Sequence, residues 1–400
     1  MFLIESRRAR PTHDPIFALN GEANARKAAG EDIINATLGA AANDDGTLSV
    51  FPSMVSALRE LDPGTIAEYA PIAGVPAFLR AVTQDMFGTV PALAERAVAV
   101  ATPGGTGALH HAIVNFLEPG QALLTTNYFW APYHTLSDET GRTLQTFRMF
   151  DDHGGFDVAA LDEAVTRLLQ TQGRVLVCLN DPCHNPTGYS MRSEEWRAVV
   201  ECLSKHAKAG GTVGLLIDAA YIEYGPGDTR AFLQQVAPLA DHALVAVAWS
   251  ASKSFAMYGL RVGALLAVVP ESERAATQAA LTYSCRGTWS NCNHGGMVAI
   301  THLLSDPQAH AALQRERQAL KEMLFARVAC FNQHAAGKLR YPRYEGGFFV
   351  TVFDAEAKEQ AARMRERGVF VVPSQDCLRV ALCSVAERDI PRVCEALQTR

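Results

Sequence analysis

ALVAVAWSASKSFAMYGLRVGALLAVV, residues 243–269, holds two apolar runs, 243–249 and 262–269, parted by a polar turn that carries Ser250, Lys253 and Arg261. Runs that stay apolar instead of alternating are what strands buried on both faces require. A lysine between two such strands has its ammonium destabilised, which makes it a candidate amine nucleophile toward a carbonyl group. A solvated turn lysine is the ordinary alternative. Ser250 and Arg261 flank it as a hydroxyl and a cation suited to a phosphate.

Five more apolar runs lie upstream: AVAVA (97–101), ALLTT (122–126), TLQTFRM (143–149), RVLVCLN (174–180) and VGLLID (213–218). Helical patterns over 106–117, 157–171 and 192–208 alternate with them, each with a polar residue suited to capping at its start. This alternation predicts an α/β fold with a parallel sheet covered on both faces. Beyond Pro270 the texture becomes helical, and 306–334 predicts a long helix connecting two domains. FFVTVF (348–353), VFVV (369–372) and LRVAL (378–382), with helices between and after, predict a second, small α/β domain. In the first 45 residues DPIFALNGEANARKAAG reads as a short helix plus loops.

Composition sets the outer bounds. Four hundred residues, 48% hydrophobic and 20% charged, make an ordinary globular chain of two or three domains. With 36 Lys+Arg against 42 Asp+Glu and no basic run, a dedicated nucleic-acid surface is excluded. The nine cysteines are odd in number, none at C-x-x-C spacing, and Cys178 and Cys330 sit in apolar runs; reduced thiols in a cytoplasmic protein are expected. MFLIESRRARP is too short in apolar residues for a signal, and no stretch approaches the roughly 18 apolar residues of a membrane span. A soluble protein without a bound metal is expected.

Three further motifs carry chemistry. In ATPGGTGALHHAIVNFL, Gly104, Gly105 and Gly107 let backbone approach an anion and Thr106 adds a hydroxyl at a helix start, where free N–H groups favour phosphate. A tight strand-to-helix turn explains the glycines equally well. In NDPCHNPTGYS (180–190), Asn185, Pro186 and Gly188 make a turn at the carboxyl end of a strand, where ligands bind in open α/β sheets; turn chemistry alone also suffices. VGLLID ends on Asp218, followed by Ala220 and Tyr221. A carboxylate there needs a cation or donors unless it faces solvent or caps a helix.

Taken in order, TPGGTG (102–107), CHNPTG (183–188), DAAY (218–221) and SASKSFAMYGLRVG (250–263) resemble the class I aminotransferases, pyridoxal-phosphate enzymes of fold type I, and among them the aspartate and aromatic amino-acid branch. The likeness runs on through EYAPIAGVPAF (68–78), NYFWAPYH (127–134), RGTWSN (286–291), EGGFF (345–349) and LRVALCS (378–384). It implies a three-layer large domain with a mainly parallel seven-stranded sheet over 46–305, and a small α/β domain made from 1–45 and 306–400. It implies an internal aldimine between Lys253 and pyridoxal 5'-phosphate, with Lys253 then shuttling a proton in a ping-pong transamination. By the same resemblance Asp218 pairs with the pyridine nitrogen, Asn185 and Tyr221 bond the ring's phenolic oxygen, and Trp130 and Ala220 cover its two faces. Gly105, Thr106, Ser250 and Arg261 hold the phosphate, joined by Tyr69 from a neighbouring subunit, so a homodimer is implied.

The substrate is implied to lie against Gly39, Trp130 and Asn185. Arg379 matches the fork for its α-carboxylate, and Arg286 the partner-donated arginine for a distal carboxylate. The sequence departs from the family at CNHGG after RGTWSN, at PSQDCL before Arg379, and at APYH after Trp130, which is one residue longer than the family's spacing. That leaves His134 without an assigned role. A β-eliminating lyase on the same fold and a non-catalytic regulator are the alternatives.

Overall fold

The computed structural model describes residues 2–8, 10 and 14–399. Seven strands form its main sheet: β1 (Ala97–Thr102), β2 (Ala122–Thr126), β3 (Thr143–Phe147), β4 (Arg174–Asn180), β5 (Thr212–Asp218), β6 (Leu244–Ser250) and β7 (Gly263–Val268). Their spatial order is β1-β7-β6-β5-β4-β2-β3. β7 runs antiparallel to both its neighbours and the other pairs are parallel. The sheet is the mainly parallel, seven-stranded one that the resemblance implies, and β7 departs from the wholly parallel sheet expected from the apolar runs.

Side-chain alternation explains why those runs are continuous. Val175, Val177 and Leu179 of β4 join one apolar cluster with Val245, Val247 and Trp249 of β6. Leu176 and Cys178 face the other way, into a cluster with Ala246, Ala248 and Leu265. Both faces are thus buried, as a period of two in a covered sheet demands. Helix α1 (Gly104–Phe116) packs on the second face, while α2 (Pro132–Glu139), α3 (Val158–Gln172) and α4 (Ser193–Lys208) complete the crossovers.

A separate apolar cluster holds Ile34 and Ala36 together with residues 328–397. There Ile34–Asn35 pairs in parallel with Val369–Phe370, and Val372–Pro373, Cys377–Val380 and Val350–Phe353 make a three-stranded antiparallel sheet. A 29-residue helix, Pro307–Ala335, spans the two bodies: Leu313, Leu320 and Leu324 enter the large cluster, Val328, Phe331 and Ala335 the small one.

Several boundaries differ from the sequence reading. β3 stops at Phe147 because Arg148 turns out to pair with Asp152 and Asp157. VFVV is two short strands, since the chain changes sheets at Val371. Of the three expected helix caps only Asp157 is seen, accepting from Ala160 N. At α4 the side chain works in reverse, Glu195 Oε2 accepting from Arg192 N. Helix α1 starts earlier, at Gly104 after Pro103, with no side-chain cap, so its first N–H groups stay free.

Candidate active site

Asn180, Asp218 and Ala248 lie in register at the carboxyl ends of β4, β5 and β6, and Ser250 follows as the last residue of β6. The carboxyl ends of parallel strands are where open α/β sheets leave a crevice. Here a cavity of about 200 Å³ opens, and Gly105, Thr106, Ser250 and Arg261 line it together with Asp218, Asn185, Tyr221 and Lys253; Trp130 and Ala220 form its flanks. Four separated motifs therefore meet in one space.

Asp218 is 6% exposed. Its Oδ2 accepts from Tyr133 Oη at 2.6 Å, its Oδ1 from Ala220 N at 3.2 Å, and its backbone oxygen from Asn180 Nδ2 at 2.8 Å. Burial raises its carboxyl, and the Tyr133 phenol, the Ala220 amide and the Lys253 charge pull the other way. Such a group calls for a cation in the cavity. Asn180 Oδ1 also accepts from Asn185 N at 2.6 Å, which fixes the NPTG turn to the strand end. Asn185 Nδ2 reaches Tyr221 Oη at 3.4 Å, and its Oδ1 is buried without a partner.

Lys253 rides on the single turn Ala251–Ser254 directly after β6. Tyr224 Oη donates to its backbone oxygen at 2.7 Å, and Arg317 Nε donates to the Ser254 oxygen at 2.8 Å. Its ammonium lies 5.8 Å from the Tyr221 ring centre and 5.5 Å from that of Tyr258. Burial pushes its pKa down, the Asp218 charge opposes this, and Arg261 adds to it. A lysine so placed reaches its neutral, nucleophilic form more easily than an ordinary one.

At the other end Arg261 fans over three backbone or hydroxyl acceptors: Ser252 Oγ at 3.1 Å, Tyr258 O at 3.0 Å and Pro103 O at 3.2 Å. Gly104 has φ +73°, and a Cβ there would collide with the Arg261 guanidinium. The left-handed backbone favours glycine here, and any Cβ would displace the Arg261 guanidinium. The uncapped start of α1, the Ser250 hydroxyl and Arg261 together form a cradle for an anion.

Of the remaining expected residues, Arg379, 8% exposed, stands 4.7 Å over the Phe349 ring, donates Nη2 to Thr37 O at 2.5 Å and leaves Nε without a partner. Phe349 in turn packs against Tyr221 and crowds Gly39. Tyr69 is 89% exposed, and Arg286 is exposed with Nη1 on its own Ser290 Oγ at 2.6 Å; neither lines the cavity. His134 is exposed too, and Tyr133 occupies the place behind Asp218. Tyr133 and Asn180 are the residues that sequence reasoning missed. Their signals were faint, since one hides in the APYH insertion and the other looks like a strand-ending asparagine.

Two other clusters stand apart. A larger cavity of about 710 Å³ is lined by Asp85, Glu223, Arg230 and Arg317, which neutralise one another in ion pairs. Asp162, Cys202 and His206 gather three metal-type donors, but Lys205 Nζ already sits 2.7 Å from the Asp162 carboxylate as its countercharge. Among the described residues no helix is long and apolar enough to cross a membrane.

Known proteins share this architecture. The family model "Aminotransferase class I and II" matches residues 31–397. The aspartate aminotransferase of Pseudomonas aeruginosa is 28% identical, with 96% of each chain covered. The crystal structure of an aminotransferase from Anaerococcus prevotii superposes with a TM-score of 0.95 at 33% identity, over 100% of this chain and 98% of that one. An aromatic-amino-acid aminotransferase from Burkholderia pseudomallei, solved covalently bound to pyridoxal phosphate, has a TM-score of 0.79 at 24% identity, over 100% and 99% of the chains.

Proposed function

This chain belongs to the class I and II aminotransferase family, and from that premise we propose that it moves the amino group of an L-amino acid, aspartate or an aromatic one, to a 2-oxo acid such as 2-oxoglutarate, using pyridoxal 5'-phosphate. One observation carries the reading. A lysine whose ammonium is destabilised shares one cavity with a buried carboxylate and an anion cradle.

The residues present fit the cofactor. Gly105, Thr106, Ser250 and Arg261 would hold its phosphate, and Asp218 its pyridine nitrogen. Asn185 through its Nδ2 and Tyr221 through its hydroxyl, 3.4 Å from each other, would donate to the ring's phenolic oxygen. Trp130 and Ala220 would cover the two ring faces. When bound, the cofactor supplies a carbonyl group for amines and a cationic ring that draws electrons from the adjoining carbon.

The chain's own groups supply the rest. Lys253 Nζ, whose ammonium form burial disfavours, is the base that removes the proton from the substrate α-carbon and later returns one. Asp218, whose carboxylate form the Tyr133 and Ala220 donors favour against the effect of burial, faces the positive charge that this step requires. Arg379, with Nε unpartnered and its position fixed by Thr37 and Phe349, grips the α-carboxylate in a two-pronged contact. Gly39, beside Phe349, closes over the substrate, and Trp130 and Asn185 border it.

The large exposed side chains Ile66, Tyr69 and Tyr283 support a homodimer, in which Tyr69 of the partner subunit reaches the phosphate and Arg286 of the partner subunit binds a distal carboxylate. The separate apolar clusters support a large domain over 46–305 and a small one from 1–45 and 306–400. Nine free cysteines, eight of them buried, support the cytoplasm as its compartment.

Incubating the cofactor-loaded protein with aspartate, glutamate or phenylalanine should release the matching 2-oxo acid, one per site, and a second 2-oxo acid should then collect the nitrogen. Failure of every donor to release a 2-oxo acid would sink the reading. Pyruvate and ammonia from cysteine without any 2-oxo acceptor would instead point to elimination.

A further inference from the structure

We infer that Tyr133 is a positioning residue for the cofactor, acting through Asp218: its hydroxyl fixes one carboxylate oxygen and leaves the other to face the ring nitrogen. This rests on the proposed cofactor reading and goes beyond it, because the sequence assigns Tyr133 no role.

The geometry is specific. Tyr133 is 1% exposed and stands edge-on to Trp130, with ring centres 5.7 Å apart. Its hydroxyl donates to Asp218 Oδ2 at 2.6 Å, the length of a hydrogen bond to a charged acceptor. Oδ1 receives only the longer contact from Ala220 N, at 3.2 Å. The carboxylate is therefore held strongly by one oxygen on its protein side, and the weakly engaged oxygen remains for a cation.

The surroundings of Asp218 reinforce the point. Facing it are Tyr133 from α2, Cys178 from β4, Tyr221 from its own loop and Lys253 from the turn after β6. Burial raises the pKa of both the Tyr133 phenol and the Cys178 thiol, and of the two Tyr133 is the one hydrogen-bonded to the carboxylate. No cation stands behind the carboxylate among these groups. The one cation among them, Lys253, stands on the cavity side.

Tyr133 and His134 are consecutive on the helix Pro132–Glu139, about 100° apart around its axis. Tyr133 is the one that faces inward and His134 is exposed.

The test is cofactor affinity, measured by titrating the cofactor-free protein with pyridoxal 5'-phosphate and following Trp fluorescence. Tyr133→Phe keeps the ring and its packing and removes one donor to a buried charge. Affinity should fall about ten- to a hundredfold. In an Asp218→Asn background the same change should alter affinity less than about twofold, because the pair acts as a unit. Wild-type affinity in Tyr133→Phe overturns the inference. So does a loss of the same size in both backgrounds, which marks a merely structural tyrosine.

If Tyr133→Phe alone does not fold, Asp218→Asn against Asp218→Asn/Tyr133→Phe still decides, since removing both partners leaves no unsatisfied charge. In that comparison equal affinities support the inference, and a further drop of more than about threefold overturns it. A wild-type chain that takes up no cofactor overturns the parent reading as well, whereas failure in the variants alone leaves that reading standing.

Discussion

Arg317→Met should destabilise the protein by an amount that can be worked from the ion network beneath the lysine turn. Arg317 is 4% exposed; its Nη1 lies 3.5 Å from Glu223 and 3.7 Å from Asp85, and its guanidinium covers the Phe255 ring at 4.7 Å. Arg230 shares both carboxylates, at 2.7 Å and 3.5 Å. Methionine fills much of the volume but leaves two buried acids to one arginine. Breaking a buried pair from one side costs about 3–5 kcal/mol. For a chain of this length unfolding as one unit, that is a fall of about 4–6 °C in Tm.

The pH dependence gives the reasoning a second handle. Burial raises the Glu223 carboxyl, and Arg317 and Arg230 overcome that and hold it below the usual carboxylate range. A depressed folded pKa adds stability that is complete above the unfolded value of about 4.3 and is lost as pH falls through the folded one. Scanning calorimetry should thus show the full gap between wild type and variant near neutral pH, narrowing below about pH 4. A Tm within about 1 °C of wild type at neutral pH, or a gap unchanged down to about pH 3, would refute this account of the network.

Substitutions within the site itself give three more expected outcomes. Gly104→Ala places a methyl against Arg261 at a left-handed position, so cofactor affinity should drop at least about tenfold alongside a stability loss of about 1–2 kcal/mol; titration and thermal melts check both. Arg379→Lys loses the planar fork, so kcat/KM for every amino acid should fall about ten- to a hundredfold while cofactor affinity holds. Arg286→Gln should lower kcat/KM for aspartate and glutamate by a similar factor and leave phenylalanine unchanged, as steady-state kinetics on the three donors will show.

How much of the fold and the site was legible in the sequence differs by residue. The seven strands were readable because both faces of the sheet are buried, so residues such as Val177 and Cys178 are apolar alike. Lys253, Asp218, Asn185 and Arg261 were readable only as a set: each motif alone had an ordinary alternative, and their order along the chain is what resembles a known family. Tyr133 was not, since a slip of one residue on a helix decides whether it or His134 faces inward. The Asp85–Glu223–Arg230–Arg317 network was also hidden, its members far apart in the chain and each an ordinary surface residue by type. Tyr69 and Arg286 were singled out by motif, yet within one chain they point to solvent.

The central claim is that Lys253 is the amine that bonds the cofactor. Borohydride reduction of the cofactor-loaded protein, followed by digestion and mass spectrometry, tests it directly. The account predicts one cofactor mass per chain, on the peptide containing Lys253, and none on a Lys253→Ala variant. A label on another lysine, or an undiminished label in that variant, would contradict it.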